Sequence, residues 1–164
     1  MAIPHTRNPI MRPLQLTATR RLDFGLLLLR VVAGIVFAAH GGQKLFVIGL
    51  SGVVGAFGQM GVPLPSVTGP LVALLEFFGG LALIAGLLTR LVGLGLAVTM
   101  LGALFMVHLT AGFFAPNGIE FVLTLASVAA TLAITGGGRY AADVLVARRP
   151  NGGSRESRPL RNAA

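Results

Sequence analysis

Residues 26–46, LLLLRVVAGIVFAAHGGQKLF, are apolar enough to cross a lipid bilayer, yet they include Arg30, His40, Gln43 and Lys44. An arginine at the centre of a spanning helix costs about 2.5 to 3.5 kcal/mol on insertion scales, so it needs an interior partner or a route to the interface. Few folds accept such a segment. At helical spacing Arg30, Gly34, Phe37, Gly41 and Lys44 share one stripe, at i, i+4, i+7, i+11 and i+14. One side of the helix then carries charge and small residues, while Leu28, Val32, Ile35 and Ala39 are left to face lipid.

Three further apolar runs follow, and the four together are 22–46, 71–88, 91–114 and 119–136. At a rise of about 1.5 Å per residue each is close to the thickness of a hydrocarbon layer of about 30 Å. With 11% charged residues and a mean hydropathy of +0.83, the chain reads as an all-α membrane protein. The expected architecture is an antiparallel bundle of four transmembrane helices with a short interfacial helix in the outer loop.

The net charge of +8 would suggest nucleic acid in a soluble protein. Here every arginine but Arg30 falls on one side of a four-span layout, and Lys44 flanks the other. By the positive-inside rule both termini and the Thr89-Arg90 turn are cytoplasmic, and topology accounts for the basic tails without a nucleic-acid partner. With no cysteine, the chain has no dithiol chemistry of its own, so redox chemistry requires a bound cofactor or a partner.

Residues 1–21 read as a flexible basic cytoplasmic arm, 22–148 as the membrane domain and 149–164 as a disordered basic tail. Arg20 and Arg21 before an apolar run weakly resemble a twin-arginine export signal, but the run continues to spanning length. In the outer loop Ser51 is expected to cap a short helix that Gly61 and Pro63 end. Val53, Val54, Phe57 and Met60 would press it into the membrane interface as a lid, the alternative being a plain apolar loop. The second span is expected to start at Pro70 and the second and third to join at Thr89 and Arg90. On the fourth, Glu120, Thr124, Ser127, Thr131 and Thr135 form what reads as an inward polar face.

Heights counted along the spans bring His40, Glu76, His108, Glu120 and Lys44 to the same outer third, within about 3 to 6 Å of boundary error. Arg30 stands apart near the inner face, snorkelling or bonding Thr131. Three readings of the cluster stay open: a polar knot that fixes helix register, a metal or haem held by His40 and His108, or a cavity for a polar head such as a quinone ring. The third assigns catalysis to Lys44, Glu76 and His108, with Lys44 and His108 donating to quinone oxygens. Arg30, His40, Gln43 and Glu120 are then cofactor-binding candidates.

In its ordered motifs the sequence resembles the DoxX-like family of membrane proteins. The matching pieces are Arg30, Gly41-Gly42-Gln43-Lys44, Gly61-Val62-Pro63, Glu76 with Gly79-Gly80, and Gly86-Leu87-Leu88-Thr89-Arg90. His108, Gly112-Phe113, Glu120 and Gly136-Gly137-Gly138-Arg139-Tyr140 with Asp143 complete them, though Ala141-Ala142 stands where the family often has Ser-Leu. The resemblance implies a four-helix inner-membrane protein tied to redox chemistry, since the family takes its name from a thiosulfate:quinone oxidoreductase subunit. Two functions are expected from it: a quinone-linked oxidoreductase subunit, or a non-catalytic anchor that recruits a redox partner protein. Homo-oligomerisation is left open.

Overall fold

The computed structural model describes residues 11–147, and they fold into helices packed as an antiparallel bundle. α1 (Met11–Gly42) passes through a π-helical stretch (Gln43–Ile48) into α2 (Gly49–Gln59). α3 (Pro65–Ala85) and α4 (Thr89–Ala103) form a hairpin; α4 continues as a second π-helical stretch (Leu104–His108) and a 3-10 turn (Leu109–Ala111). α5 (Glu120–Thr135) and the short α6 (Ala142–Ala147) follow. Three helical segments, Ala18–Gln59, Pro65–Ala85 and Thr89–Ala111, are long and apolar enough to cross a membrane, and α5 is a shorter apolar helix of 16 residues beside them.

Several boundaries differ from the sequence reading. α1 already runs from Met11, so residues 11–21 are helical; residues 1–10 and 148–164 lie outside the described part. Ser51 sits inside α2 and caps nothing, because the π-helical stretch feeds its backbone bonds straight into that helix. Gly61, at φ 74°, ends α2 as expected, with Val62 N–H returning to Phe57 O at 3.0 Å. α3 begins at Pro65, five residues before Pro70, and the Thr68 hydroxyl donates to Pro63 O and Leu64 O at 3.1 Å each. Gly86 at φ 74° lets Leu87 N–H close on Ala82 O at 2.9 Å, so the α3–α4 link is Gly86 to Leu88, and Thr89 and Arg90 already belong to α4.

Small residues decide which helices touch. A Cβ on Gly34 would stand 2.6 Å from Gly80 O, and one on Gly41 would meet the Phe77 backbone, so α1 and α3 pack at backbone contact. A Cβ on Gly93 would stand 2.8 Å from Ala133 N, and α4 packs on α5 in the same way. The two pairs share a core around Phe37, Leu83, Leu96 and Leu132. Outside, Leu28, Val32, Ile35 and their counterparts on the other helices are exposed, an arrangement suited to lipid.

The fourth helix is rotated relative to expectation. Thr124, Ser127, Thr131 and Thr135 are exposed, while Val122, Leu125, Ala126, Ala129 and Leu132 are buried. Gly93 of α4 needs an alanine face opposite it, which fixes that rotation. The hydroxyls can face lipid because each donates to the carbonyl four residues back, at 2.7 to 2.9 Å.

Candidate functional site

One end of the bundle carries Arg20, Arg21, Arg90 and Arg139 and is here the basic end; the other is the loop end. A cavity of about 550 Å³ opens at the loop end, where the α1–α3 and α4–α5 pairs draw apart and α2 lies across the top. That volume is in the range of small-molecule sites, about 300 to 1,000 Å³. Phe57 of α2 lines it, together with Met60 and Val62 of the turn that follows.

Four ionisable side chains on three helical segments reach the wall: His40 and Lys44 from the first, Glu76 from α3, and His108 from the end of the α4 segment. Lys44 Nζ and Glu76 Oε2 lie 2.5 Å apart, with the side chains 21% and 4% exposed. Gly41, one turn before Lys44, makes this possible, since its missing side chain lets α1 rest on the Glu76–Phe77 backbone. Lys44 and His108 both sit in π-helical stretches. The wider turn re-aims side chains relative to an α-helix, and such bulges often occur at functional sites.

Both imidazoles are oriented by main-chain carbonyls. His40 Nδ1 lies 2.9 Å from Val36 O and His108 Nδ1 lies 2.8 Å from Asn117 O. A carbonyl oxygen can only accept, so Nδ1 carries a hydrogen in each ring and Nε2 is the nitrogen left for another partner, an acceptor when the ring is neutral. The His40 ring also lies 5.6 Å from the Phe121 ring, joining α1 to α5 beside the cavity.

The remaining candidates lie elsewhere. Gln43 is exposed and outside the cavity wall, one helical step round from Lys44. Glu120 accepts from Ala115 N–H at 2.7 Å and braces the 112–119 loop. Arg30, 2% exposed, is far from the cavity: Nη1 donates to Leu83 O and Ile84 O at 3.2 Å each, and Nη2 to Tyr140 O at 2.8 Å. Thr131 is not its partner. These carbonyls include the end of α3, where the helix dipole favours a cation, so Arg30 is a structural clamp.

Next to that clamp Asp143 caps α4 from a distance, accepting from Leu88 N–H at 2.6 Å and Thr89 N–H at 3.0 Å. Burial alone would raise the Asp143 carboxyl, but these bonds and the nearby Arg30 charge outweigh it and hold the group below the ordinary carboxylate value. Asp23 accepts from Arg139 N–H at 3.0 Å on the same face.

Residues that the sequence reading passed over complete the wall, above all Phe37, Thr99, Gly102 and Phe121. Phe37 was on the Arg30–Lys44 stripe and Phe121 adjoins Glu120, but no polar signal marked Thr99 or Gly102. Among the described residues no three His, Asp or Glu side chains come together as a metal-ligand group.

Comparison with known proteins gives a consistent result. The DoxX family model matches residues 25–109. The chain is 38% identical over 127 residues to the Bacillus subtilis (strain 168) protein named "Putative oxidoreductase CatD", covering 77% of this chain and 90% of that one. It is also 38% identical over 128 residues to "Inner membrane protein YqjF" of Escherichia coli (strain K12), covering 76% and 93%. No solved structure matches.

Proposed function

The chain belongs to the DoxX family, and on that premise we propose that it is the membrane subunit of a redox system whose loop-end cavity binds the head of a quinone. The carrying observation is the Lys44–Glu76 pair, with His40 and His108 beside it, in the wall of a largely apolar cavity. An ion pair away from water costs desolvation, and replacing such a pair by hydrophobic residues is often neutral or stabilising. Its presence facing a cavity is accounted for by a polar ligand that both groups serve.

The residues suit that ligand. A quinone supplies reversible two-electron, two-proton chemistry at two ring oxygens. Lys44 Nζ, paired with one Glu76 oxygen, has further hydrogens to donate to a ring oxygen. His108 Nε2 and His40 Nε2 accept a hydrogen bond from a ring hydroxyl and can receive its proton, with the Nδ1 contacts at Asn117 O and Val36 O fixing the rings. Phe37 and Phe121 offer flat apolar surface and exclude water. With the basic end cytoplasmic by the charge rule, the cavity lies in the outer half of an inner membrane.

The test is extraction. Protein purified in mild detergent is expected to release quinone into organic solvent, and a Lys44→Met/Glu76→Leu double variant to release little. Wild-type protein that carries no quinone and binds none when it is added would overturn the reading and leave the anchor for a redox partner in its place.

A further inference from the structure

The cavity has a wall that faces lipid, and we propose that its ligand enters sideways from the bilayer between α3 and α4 and leaves an apolar tail in that seam. α4 turns toward α3 along Val92, Gly95, Thr99 and Gly102, at i, i+3, i+7 and i+10, and Met106 of the π-helical stretch beyond it also lines the cavity. Near the basic end this stripe is in contact: a Cβ on Gly95 would stand 3.3 Å from Leu75, and one on Gly79 would stand 3.2 Å from Val92. Two turns farther the contact is gone. Thr99, Gly102 and Met106 line the cavity with Thr68 and Val72 of α3, and a Cβ on Gly102 would find nothing within 4 Å. Counted from the Gly86–Leu88 turn, Gly102 and Val72 share a depth of about 20 Å, so the gap lies between facing residues.

This gap opens to the bilayer. Val98, 61% exposed, stands on the lipid-facing stripe of α4 with Leu94 and Leu101, and it is also part of the cavity wall. On the opposite seam the His40 and Phe121 rings meet. The α3–α4 seam is apolar, and its hydroxyls on Thr68 and Thr99 already donate to backbone carbonyls. A polar head at one end and an apolar, lipid-open seam at the other define the ligand class as a membrane amphiphile with a hydrocarbon tail. The proposal rests on the quinone reading only for the identity of the head.

The chain has no tryptophan, so a Gly102→Trp variant carries a single indole, excited apart from Tyr140, where a side chain meets no neighbour. In vesicles of lipid brominated on the acyl chains, its fluorescence is expected to be quenched to an extent comparable with a Val98→Trp variant, the lipid-facing control. Strong quenching of the control with none at position 102 would overturn the portal.

A second arm compares a decyl-tailed benzoquinone with the same ring lacking the tail, in nanodiscs. Gly102→Trp, by filling the seam, is expected to weaken the tailed compound about tenfold, the weight of roughly two buried methylenes, and to leave the tailless one nearly unchanged. Equal binding of the tailed compound to wild type and variant would overturn the tail seam. If wild type binds neither compound while brominated chains still quench at position 102, the quinone reading falls and the lateral portal stands.

Discussion

Single residues show best how far stability and function are separable. Glu76 is buried and fixed on α3, whereas Lys44 is partly exposed on a flexible stem that can reach the loop end. Lys44→Met should therefore destabilise the bundle by about 3 to 5 kcal/mol, because it strands the buried partner. The Lys44→Met/Glu76→Leu double variant should recover most of that loss, a coupling that a double-mutant cycle in detergent unfolding would measure. Ligand binding should stay lost in the double variant, which a purely structural pair would not require. The Arg30–Lys44 stripe was legible because its spacing and its glycines agree. The role of Arg30 was not, because its partners are carbonyls of Leu83, Ile84 and Tyr140, and a sequence does not mark which backbone groups are left free.

Helix contacts depend on glycines that differ sharply in tolerance. Gly41→Ala drives a methyl into the Phe77 backbone and should abolish most folded protein, whereas Gly55, with nothing within 4 Å, should accept alanine with a gain of about 0.5 to 1 kcal/mol in helix stability. Size-exclusion yield and thermal unfolding of the two variants would check the contrast. The Asp143 cap on α4 gives a pH dependence. Because its carboxyl lies lower in the folded chain than in the unfolded one, its contribution is complete above the unfolded value and lost as the pH falls through the folded one. Asp143→Ala should thus cost about 0.5 to 2 kcal/mol at neutral pH, and the gap from wild type should close in acid below the ordinary carboxylate range. At this scale the hydroxyls of α5 misled: periodicity placed them on one face, but only the Gly93–Ala129–Ala133 contact decides that the face is outward. The π-helical turns under Lys44 and His108 carry no signal in periodicity, since one widened turn shifts the register by less than the pattern resolves.

The whole molecule divides into a tightly tied basic end and an open loop end. Arg30, Asp23 and Asp143 hold the first together, while the α1–α3 and α4–α5 pairs separate at the second around the cavity. The arginine asymmetry predicts that a reporter fused beyond Ala147 is active in the cytoplasm, and periplasmic activity would invert the cavity's position in the membrane. What the bundle is for turns on whether the cavity holds a quinone ring against Lys44. Redox-induced infrared difference spectroscopy of the reconstituted protein with added quinone measures that contact directly. A ring carbonyl band displaced to lower frequency than in lipid alone is expected, with the displacement absent in Lys44→Met/Glu76→Leu. A wild-type band at the lipid position, or the same displaced band in the double variant, would contradict it.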